Sequence, residues 1–462
     1  MEQPAGTPPA AAPRPAAPRP GPRVDPATGD IEFRVVAEPH WRPQRIWYHL
    51  RHAAQATFHH DGDQWVARLP RPPVDRLEYL LSVRWPDGTE SLVPDPSNPR
   101  RVRGVFGDKS VVELPDYSPP WWLAVADAAD AQARRDAEAR AAAHRRAVGL
   151  DRRSPAVAGA RAGGGLIAVP MPGAGAVGAE PGATAATEGV ASVRVAHSAQ
   201  PGDDRWRRSP IARARPAGGL VTEHAFAPDD VVDPEAEVAV TGHLLVPEDS
   251  RPGEPLPLLV VHDGPEYAEY ADLVRYLTVL ARIEPQLRCR VLLLAPVDRD
   301  RSYSASPAYA RALVTRMLPQ VTGAFATRGP LVGVGSSLGG LAMLHAAVAH
   351  PATFGGVFSQ SGSFFRPRTD DMERGYRYYG RIVRFVDDVD AEPARLAGLR
   401  VALTCGTGEE NLANNRALAR RLTRLGVPTV LLEHPDGHNH TGWRDSLDPG
   451  LRTLLQRLWA PA

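Results

Sequence analysis

Residues 331–340 read LVGVGSSLGG, an apolar run that ends in the pattern G-x-S-x-G with Ser337 at its centre. An apolar strand, a tight turn of small residues and an amphipathic stretch at 341–350 predict a serine held at a sharp strand-to-helix turn. Such a turn exposes the hydroxyl at the carboxyl end of a sheet, where the first N–H groups of the helix also point. Ser336 does not fit the pattern, because Val334 and Leu338 occupy the positions where its glycines would stand. We therefore predict Ser337 as a nucleophile.

The sequence around this motif alternates between apolar runs and amphipathic stretches from about residue 206 onward. The apolar runs are those at 238–246, 256–261, 291–297, 331–334, 355–358, 399–403 and 429–432. Amphipathic stretches lie between or after most of them, at 270–283, 309–325, 341–350, 411–425 and 443–459. Continuous apolar runs are typical of strands buried on both faces of a parallel sheet. The alternation predicts an α/β fold with a doubly wound, mostly parallel sheet of the α/β-hydrolase kind.

Activation of Ser337 requires a base, because a serine hydroxyl is a poor nucleophile until its proton is removed. In the fold predicted here, the catalytic side chains follow one another in the order serine, acid, histidine. The apolar run that begins at Leu399 leads into Glu409 and Glu410, so an acid follows this strand. We prefer Glu409 as the acid. Glu410 stays open, because an acidic residue also suits the start of the next helix.

Three histidines follow the last predicted strand, at positions 434, 438 and 440. His438 comes directly after a glycine on a predicted loop, and we predict it as the base. His440 remains an alternative two positions further along, whereas His434 is still close to the strand and is predicted to be structural. The spacing of the three imidazoles matches no metal-binding motif, so no metal site is expected.

The oxyanion that forms during attack on a carbonyl needs two backbone N–H donors. The N–H of Leu338, the residue after the nucleophile, is the first predicted donor. The second should come from the loop that follows the strand at 256–261, in which one residue is a proline without an N–H. Gly264 is the predicted second donor, with Glu266 as the alternative. The polar residues 262 and 263 are predicted to shape this loop.

The remainder of the chain divides by composition into further parts. Residues 1–28 are rich in Pro, Ala and Arg and predict a disordered tail. Residues 29–120 hold short apolar or alternating runs between turn signals, which predict a small all-β, Ig-like sandwich. Residues 121–205 read as a helical and low-complexity linker that is rich in Gly, Ala and Pro from 155 to 204. Residues 206–462 are then the α/β catalytic domain.

The overall composition excludes several classes of function. Lys+Arg numbers 54 and Asp+Glu 53 in 462 residues, a net charge of +1 that is not suited to binding nucleic acid or an anionic membrane. The two cysteines, Cys289 and Cys405, exclude a disulfide framework and read as buried strand residues. The first residues lack the pattern of a secretory signal, and no stretch approaches about 18 consecutive apolar residues. A cytoplasmic location is therefore expected.

Several motifs occur in a fixed order along the α/β part. They are His262-Asp263-Gly264-x-x-Tyr267, Arg299-x-Arg301-x-Tyr303, Gly335-x-Ser337-x-Gly339-Gly340, Phe358-Ser359-Gln360-Ser361-Gly362-Ser363, Glu409-Glu410-Asn411 and Gly437-His438-x-x-x-x-Trp443. This series resembles the enterochelin esterase family of siderophore hydrolases. The resemblance covers most of residues 206–462 and touches the end of the β-sandwich, whereas the stretch at 155–204 departs from the family pattern.

The resemblance implies cytoplasmic hydrolysis of the ester bonds of a ferric catecholate siderophore, which frees the iron. It implies the same nucleophile and base that the spacing indicates, with Glu409 as the acid. It also implies that Tyr267, Arg299 and Arg301 line the substrate cleft, where guanidinium groups suit an anionic catecholate. The expected partner is a small-molecule ester, and the reaction itself is expected to need no metal or organic cofactor.

Two other functions fit the same sequence, because a fold does not fix a substrate. One is a general carboxylesterase or acyl transferase acting on another ester. The other is a catalytically inactive ligand-binding protein in which the β-sandwich grips the ligand. Labelling by an active-site serine probe distinguishes the second from any hydrolase.

Overall fold

The computed structural model describes residues 20–36, 42–48, 50, 55–147, 220–226, 232–233 and 238–460. The stretch predicted to be of low complexity at 155–204, and residues 1–19 of the predicted tail, lie outside the described residues. One compact unit comprises Met1–Asp130 with Pro201–Ala462, and a second comprises Ala131–Gln200. The strands described below all lie in the first unit.

Two antiparallel sheets form the N-terminal part of the chain. Their strands are β1 (Gly21–Val24), β2 (Ile31–Val36), β3 (Arg42–Trp47), β4 (His59–Asp61), β5 (Gln64–Leu69), β6 (Arg76–Arg84), β7 (Glu90–Val93), β8 (Arg101–Val102) and β9 (Lys109–Glu113). One sheet has the order β1-β2-β5-β4, and the other β3-β6-β9-β8 with β7 paired to β6. Alternate residues of β2, namely Ile31, Phe33 and Val35, are fully buried and share a core with Tyr79 of β6. Alternation of this kind builds the predicted β-sandwich.

Strand β1 corrects the prediction for residues 1–28, which were assigned to a disordered tail. Its pairing with β2 extends from Val24↔Ile31 to Gly21↔Arg34. The connection is a local turn in which Asp25 accepts hydrogen bonds from the backbone N–H groups that follow it. A short polar side chain that closes its own turn orders this end of an otherwise Pro-rich segment.

A mixed nine-stranded sheet forms the α/β part of the described chain. Its strands are β10 (Leu220–Phe226), β11 (Val232–Asp233), β12 (Val238–Pro247), β13 (Leu258–Val261), β14 (Arg290–Pro296), β15 (Leu331–Ser336), β16 (Phe354–Gln360), β17 (Arg400–Gly406) and β18 (Thr429–His434). The order is β10-β12-β14-β13-β15-β16-β17-β18, and β11 pairs with β12. Strands β13 to β18 are parallel, whereas β10, β11 and β12 pair antiparallel at one side of the sheet. The carboxyl ends of the parallel strands therefore share one edge.

Helices precede the sheet and cover both of its faces. They are α1 (Trp121–Ala147), α2 (Gly264–Tyr270), α3 (Leu273–Ile283), α4 (Arg299–Tyr303), α5 (Pro307–Ala312), α6 (Leu318–Ala324), α7 (Leu338–Ala349), α8 (Tyr379–Asp388), α9 (Leu412–Arg424), α10 (His440–Asp445) and α11 (Gly450–Trp459). Two separate cores lie on the two faces. In β13, Leu258 and Val260 belong to one core, while Leu259 and Val261 belong to the other. The doubly wound α/β prediction is confirmed.

Two predicted helices are interrupted in the structure. The stretch at 270–283 divides because Asp272, between α2 and α3, adopts a left-handed conformation with φ 49°. The stretch at 309–325 contains a π-helical turn, Leu313–Met317, between α5 and α6. None of the helices among the described residues is long and apolar enough to cross a membrane.

Candidate active site

Ser337 lies at the turn between β15 and α7, where the sequence motif places it. Its backbone adopts φ 54° and ψ −126°, a conformation that non-glycine residues rarely adopt. The side chain is partly exposed, whereas the neighbouring Ser336 is buried with 2% exposed surface. The strained turn therefore presents the hydroxyl of Ser337 and withholds that of Ser336.

The turn depends on a glycine at position 335. A Cβ atom built on Gly335 would lie 2.4 Å from the backbone carbon and oxygen of Gly339. Backbone atoms on both sides of the turn cannot move apart without breaking the strand-to-helix crossing. The glycine of the motif thus serves a close backbone approach and not only flexibility.

His438 and Glu409 form a buried pair on two adjacent loops of the same sheet edge. Glu409 follows β17 and His438 follows β18, and these two strands are paired. The His438 Nδ1 atom lies 2.6 Å from Glu409 Oε2, and 4.0 Å from Glu410 Oε1. The side chain of Glu409 has no exposed surface. Of the two acids considered from the sequence, the structure brings Glu409 into hydrogen-bond contact with the imidazole.

Electrostatics favour a charged Glu409 beside a basic His438. Burial alone would raise the pKa of Glu409, but hydrogen bonds from His438, Ser361 and the Gly406 N–H outweigh it and hold that pKa below the ordinary value. Burial alone would lower the pKa of His438, but Glu409 and Glu410 raise it above 6.5. Because an ionised carboxylate only accepts hydrogen bonds, the Nδ1 atom of His438 carries a proton and donates it to this bond.

The end of β16 and the residues directly after it connect the serine turn to this pair. Ser337 N–H donates to the Gln360 carbonyl at 2.9 Å, and Ser363 N–H donates to the Ser337 carbonyl at 3.1 Å. The hydroxyls of Ser337 and Ser363 lie 3.2 Å apart. Ser361, between Gln360 and Ser363 in the chain, donates its hydroxyl to Glu409 Oε1 at 2.6 Å. One short segment therefore contacts both the predicted nucleophile and the predicted acid.

The other two histidines of the same loop have different environments. Burial lowers the pKa of His434, which supports the structural role predicted from its position near the strand. Burial also lowers the pKa of His440 to about 4, and its ring packs against Trp443 with centroids 4.7 Å apart. A histidine that stays neutral down to that pH binds protons too weakly to be an effective base near pH 7. His438 therefore remains the stronger candidate for the base.

The two predicted oxyanion donors both stand at the first position of a helix. Leu338 begins α7 and Gly264 begins α2, so both N–H groups lack an intrahelical acceptor. The helices meet at their starts, because His262 Nδ1 lies 2.9 Å from the Gly339 carbonyl. Burial lowers the pKa of His262 to about 4, so the neutral ring donates this hydrogen bond. As predicted for residue 262, this side chain fixes the loop against the turn.

The structure does not support the prediction that Tyr267 lines the cleft. Its side chain has no exposed surface, and its hydroxyl donates to Gln360 Oε1 at 2.8 Å. The reason is the helix that starts at Gly264: residues 264, 267 and 268 share its buried face. Gly264 itself packs so closely on Leu293 that a Cβ would lie 2.5 Å away. Tyr267 is thus a buried residue that packs beneath the protein surface and binds the end of β16 through Gln360.

Arg299 lies at the site but is engaged by a neighbour. Its guanidinium makes two hydrogen bonds to Asp263, of 2.9 and 2.7 Å, and 40% of its side chain is exposed. Asp263 is held with φ 49° directly before α2. Arg299 thereby balances the charge of the Asp263 carboxylate, which lies near the start of α7. Arg301 is partly exposed in the same helix, α4.

The sequence reasoning missed the contacts of Gln360, Ser361 and Ser363. These residues were noted only as part of the motif at 358–363 and received no role. Their position at the end of a central parallel strand, or directly after it, was the available signal, because that strand ends at the same sheet edge as β15 and β17. The distances to Ser337 and Glu409 depend on tertiary structure and are not readable from spacing.

Together, these features define a class of protein. A serine on a strained strand-to-helix turn and a paired histidine and glutamate at one edge of a parallel sheet are the arrangement of an α/β-hydrolase of the serine type. Residues 235–454 match the family described as "Putative esterase". The α/β part of this chain is therefore similar to that esterase family.

Curated relatives agree with the resemblance seen in the sequence. The iron(III) enterobactin esterase of Escherichia coli O6:H1 is 30% identical over 213 residues, which are 45% of this chain and 51% of that protein. The iron(III) enterobactin esterase of Dickeya dadantii is 29% identical over 214 residues, 43% of this chain and 48% of that protein. The chain thus spans about half the length of the curated relatives it matches. The resemblance to the enterochelin esterase family is confirmed.

Solved structures show the same fold over nearly the whole chain. The ferric enterobactin esterase of Salmonella typhimurium aligns with a TM-score of 0.57 at 18% identity, covering 95% of this chain and 96% of that chain. The enterobactin esterase of Shigella flexneri, crystallised in the presence of enterobactin, gives a TM-score of 0.56 at 17% identity, with 95% and 96% covered. This coverage confirms an N-terminal β part followed by an α/β-hydrolase.

Proposed function

We propose that the chain is a serine esterase that hydrolyses ester bonds of an enterobactin-type ferric catecholate siderophore. The observation that carries the catalytic part is the 2.6 Å hydrogen bond between His438 Nδ1 and Glu409, beside the segment that bonds Ser337. With Nδ1 committed to the acid, Nε2 is the nitrogen that accepts a proton. The pair thus supplies a base whose tautomer is already set.

The first half of the reaction transfers the acyl group to the protein. His438 Nε2 takes the hydroxyl proton of Ser337 as Oγ forms a bond to the ester carbonyl carbon. The carbonyl oxygen becomes an oxyanion, which the N–H groups of Leu338 and Gly264 stabilise. The tetrahedral intermediate then expels the alcohol oxygen, which receives the proton from His438. An acyl-serine ester remains.

The second half returns the serine. Water gives a proton to His438 Nε2 as its oxygen adds to the acyl carbon, and the Ser337 Oγ leaves with that proton. The products are a carboxylic acid and an alcohol, and no redox step occurs. Glu409 keeps its negative charge throughout and stabilises the transient imidazolium, as the acid of a serine triad does.

The proposed substrate follows from the charges near the site and from the relatives. A ferric catecholate complex is an anion with flat aromatic faces. Arg299 and Arg301 lie on α4 beside the turn, and the Arg299 guanidinium lies 5.6 Å from the centre of the Tyr303 ring. Arg301 adds positive charge here, and the Arg299 guanidinium, whose charge is balanced by Asp263, still presents a flat face, so this helix suits an anionic aromatic ligand. The names of the two curated relatives point to the same substrate.

The decisive experiment compares esters. The full chain should hydrolyse ferric enterobactin with a higher kcat/KM than simple aryl esters such as 4-nitrophenyl acetate. The change Ser337→Ala should reduce kcat by about 10⁴- to 10⁶-fold, because it removes the nucleophile. A fluorophosphonate probe should label the wild type and not this variant. The matched control is Ser336→Ala, a buried neighbour, which should still be labelled.

Each unfavourable outcome selects a different rival. Turnover of aryl esters without turnover of ferric enterobactin would indicate a general carboxylesterase. An alcohol acceptor that competes with water for the acyl group would indicate an acyl transferase. No labelling of the folded wild type, together with binding of the siderophore, would indicate the catalytically inactive ligand-binding protein.

A further inference from the structure

Ser361 holds a combination of contacts that the esterase mechanism does not require by itself. The residue is completely buried and lies directly after β16. Its hydroxyl donates to Glu409 Oε1 at 2.6 Å. The Ser361 Oγ atom also accepts a hydrogen bond from Trp443 Nε1, at 2.9 Å. Trp443 is on α10, five residues after His438 in the chain. The hydroxyl therefore joins the acid, Glu409, to the helix that follows the base, His438. We call the hydrogen-bonded series Trp443–Ser361–Glu409 the relay.

The direction of these hydrogen bonds is fixed by chemistry. An indole Nε1 only donates, so the Ser361 oxygen must accept from Trp443. The single hydroxyl hydrogen is then left for Glu409, and an ionised carboxylate can only accept it. The carboxylate thereby receives donors on both oxygens: His438 on Oε2, with Ser361 and the Gly406 N–H on Oε1.

The backbone at Ser361 adopts a conformation that its surroundings impose. Its φ is 51°, in the left-handed region that serine rarely adopts. The Ser361 N–H donates to the Thr404 carbonyl at 2.7 Å, and its own carbonyl accepts from Asn411 Nδ2 at 3.1 Å. Strain maintained by two buried hydrogen bonds marks a position where the surroundings dictate the geometry.

We propose that Ser361 is a positioning residue that acts on the base through Glu409: its hydroxyl, itself held by the Trp443 N–H, limits how strongly the carboxylate raises the basicity of the His438 imidazole. This inference rests on the proposed function, since it concerns the same acid and base. The physical reason is that each additional donor draws negative charge away from the oxygen that faces His438. Ser361 acts only through Glu409 and touches no reacting atom.

The relay predicts a pH effect of defined sign. Ser361→Ala leaves one fewer donor on the carboxylate, so Glu409 attracts the His438 proton more strongly. The low-pH limb of the kcat/KM profile should then move to higher pH, and kcat should fall about 10- to 100-fold, the range for losing a supporting hydrogen bond. KM should change little. Simple displacement of Glu409 would instead weaken its hold on His438 and move the limb to lower pH.

The chain offers a matched control two residues earlier, inside β16. Ser359 is completely buried, and its hydroxyl has no hydrogen-bond partner among the described residues. Ser359→Ala also removes one buried serine hydroxyl, and should leave the limb and kcat within about twofold of the wild type, as expected when no bond is lost. Equal effects of the Ser359 and Ser361 changes would overturn the relay.

Two further variants separate the hydroxyl from the backbone strain and from Trp443. Ser361→Gly relieves the strain at φ 51° and also lacks the hydroxyl, so it should shift the limb as the alanine variant does. A wild-type profile in the glycine variant would overturn the proposal. Trp443→Phe removes the N–H donor and keeps an aromatic ring. Its effect should not multiply with that of Ser361→Ala, because both changes break one relay.

The experiment distinguishes failure of the relay from failure of the esterase proposal. All variants are measured as full chains, with the ester that the wild type hydrolyses best, and folding is checked by circular dichroism. An active Ser337→Ala variant would refute the esterase proposal itself. An inactive Ser337→Ala variant, with Ser361→Ala behaving like Ser359→Ala, would refute only the relay.

Discussion

At the scale of single residues, the site rests on two opposing contributions to one pKa. Burial would lower the pKa of His438 and thus weaken the base, whereas the charges of Glu409 and Glu410 raise it above 6.5. Only the unprotonated imidazole accepts the proton of Ser337. Activity should therefore rise with pH through the His438 pKa, on a limb that lies above pH 6.5.

Neutralising the acid tests this balance. In Glu409→Gln the raising contribution of the hydrogen-bonded charge disappears and burial remains, so the limb should move to lower pH. The rate kcat should fall by about 10² to 10⁴, because the amide no longer stabilises the imidazolium. The profile of kcat/KM against pH measures both effects. The direction is opposite to that expected for the Ser361 change.

The neighbouring acid is the natural control for this prediction. Glu410 Oε1 lies 4.0 Å from His438 Nδ1, beyond a hydrogen bond. Glu410→Gln should lower the limb slightly and retain most of kcat, because it removes a charge near His438 and leaves the hydrogen bond between Glu409 and His438 in place. A larger loss in Glu410→Gln than in Glu409→Gln would reverse the assignment of the acid.

At the scale of elements, the turn between β15 and α7 carries the chemistry, and its geometry leaves no space at Gly335. In Gly335→Ala the new Cβ would lie 2.4 Å from backbone atoms of Gly339. We expect a loss of about 1–3 kcal/mol in the free energy of unfolding, typical of overpacking. Labelling by the serine probe should fall at the same time, because Ser337 moves with the turn. Denaturant titration and labelling measure the two effects.

A glycine elsewhere in the α/β part provides the comparison. Gly380 lies in α8, is exposed, and would present its Cβ to open space. Gly380→Ala should leave labelling unchanged and should raise the free energy of unfolding by up to about 1 kcal/mol, since alanine favours helices. Equal destabilisation by both changes would contradict the special role of the turn.

The elements that the sequence predicts well are those whose causes are local. Five consecutive residues determine the turn around Ser337, and each parallel strand is a continuous apolar run. Tyr267 was misassigned because its orientation depends on which face of α2 meets the sheet, and Gly264 decides this through its contact with Leu293. Ser361 received no role because Glu409 lies 48 residues away in the chain. Periodicity carries no information on such contacts.

At the scale of the whole molecule, the β-sandwich supports both loops that carry the acid and the base. Pro73 accepts a hydrogen bond from the Thr407 hydroxyl at 2.9 Å, and the Asp75 N–H donates to the Pro435 carbonyl at 2.8 Å. Thr407 and Pro435 lie in these two loops, shortly before Glu409 and His438 in the chain. The turn between β5 and β6 therefore contacts the catalytic edge directly.

Val74 lies at the centre of this turn and tests its contribution to catalysis. The side chain is 1% exposed, and it packs so closely on Gly408 that a Cβ there would lie 2.8 Å from Val74 Cγ1. In Val74→Ala the lost methyl groups leave a gap beside the loop that carries Glu409. We expect about a threefold to tenfold loss of kcat with KM nearly unchanged, because small displacements of a catalytic group are costly.

The control for Val74→Ala is an equal truncation in the same sandwich core. Val35 in β2 is completely buried and belongs to the same core cluster. Both changes should lower the free energy of unfolding by about 1–3 kcal/mol, as core truncations do. Only Val74→Ala should lower kcat when both are assayed well below their melting temperatures. Because the two variants share the loss of stability, a difference in kcat isolates the contact with the catalytic loop. Equal values of kcat would mean that the sandwich stabilises the chain without holding its catalytic residues in place.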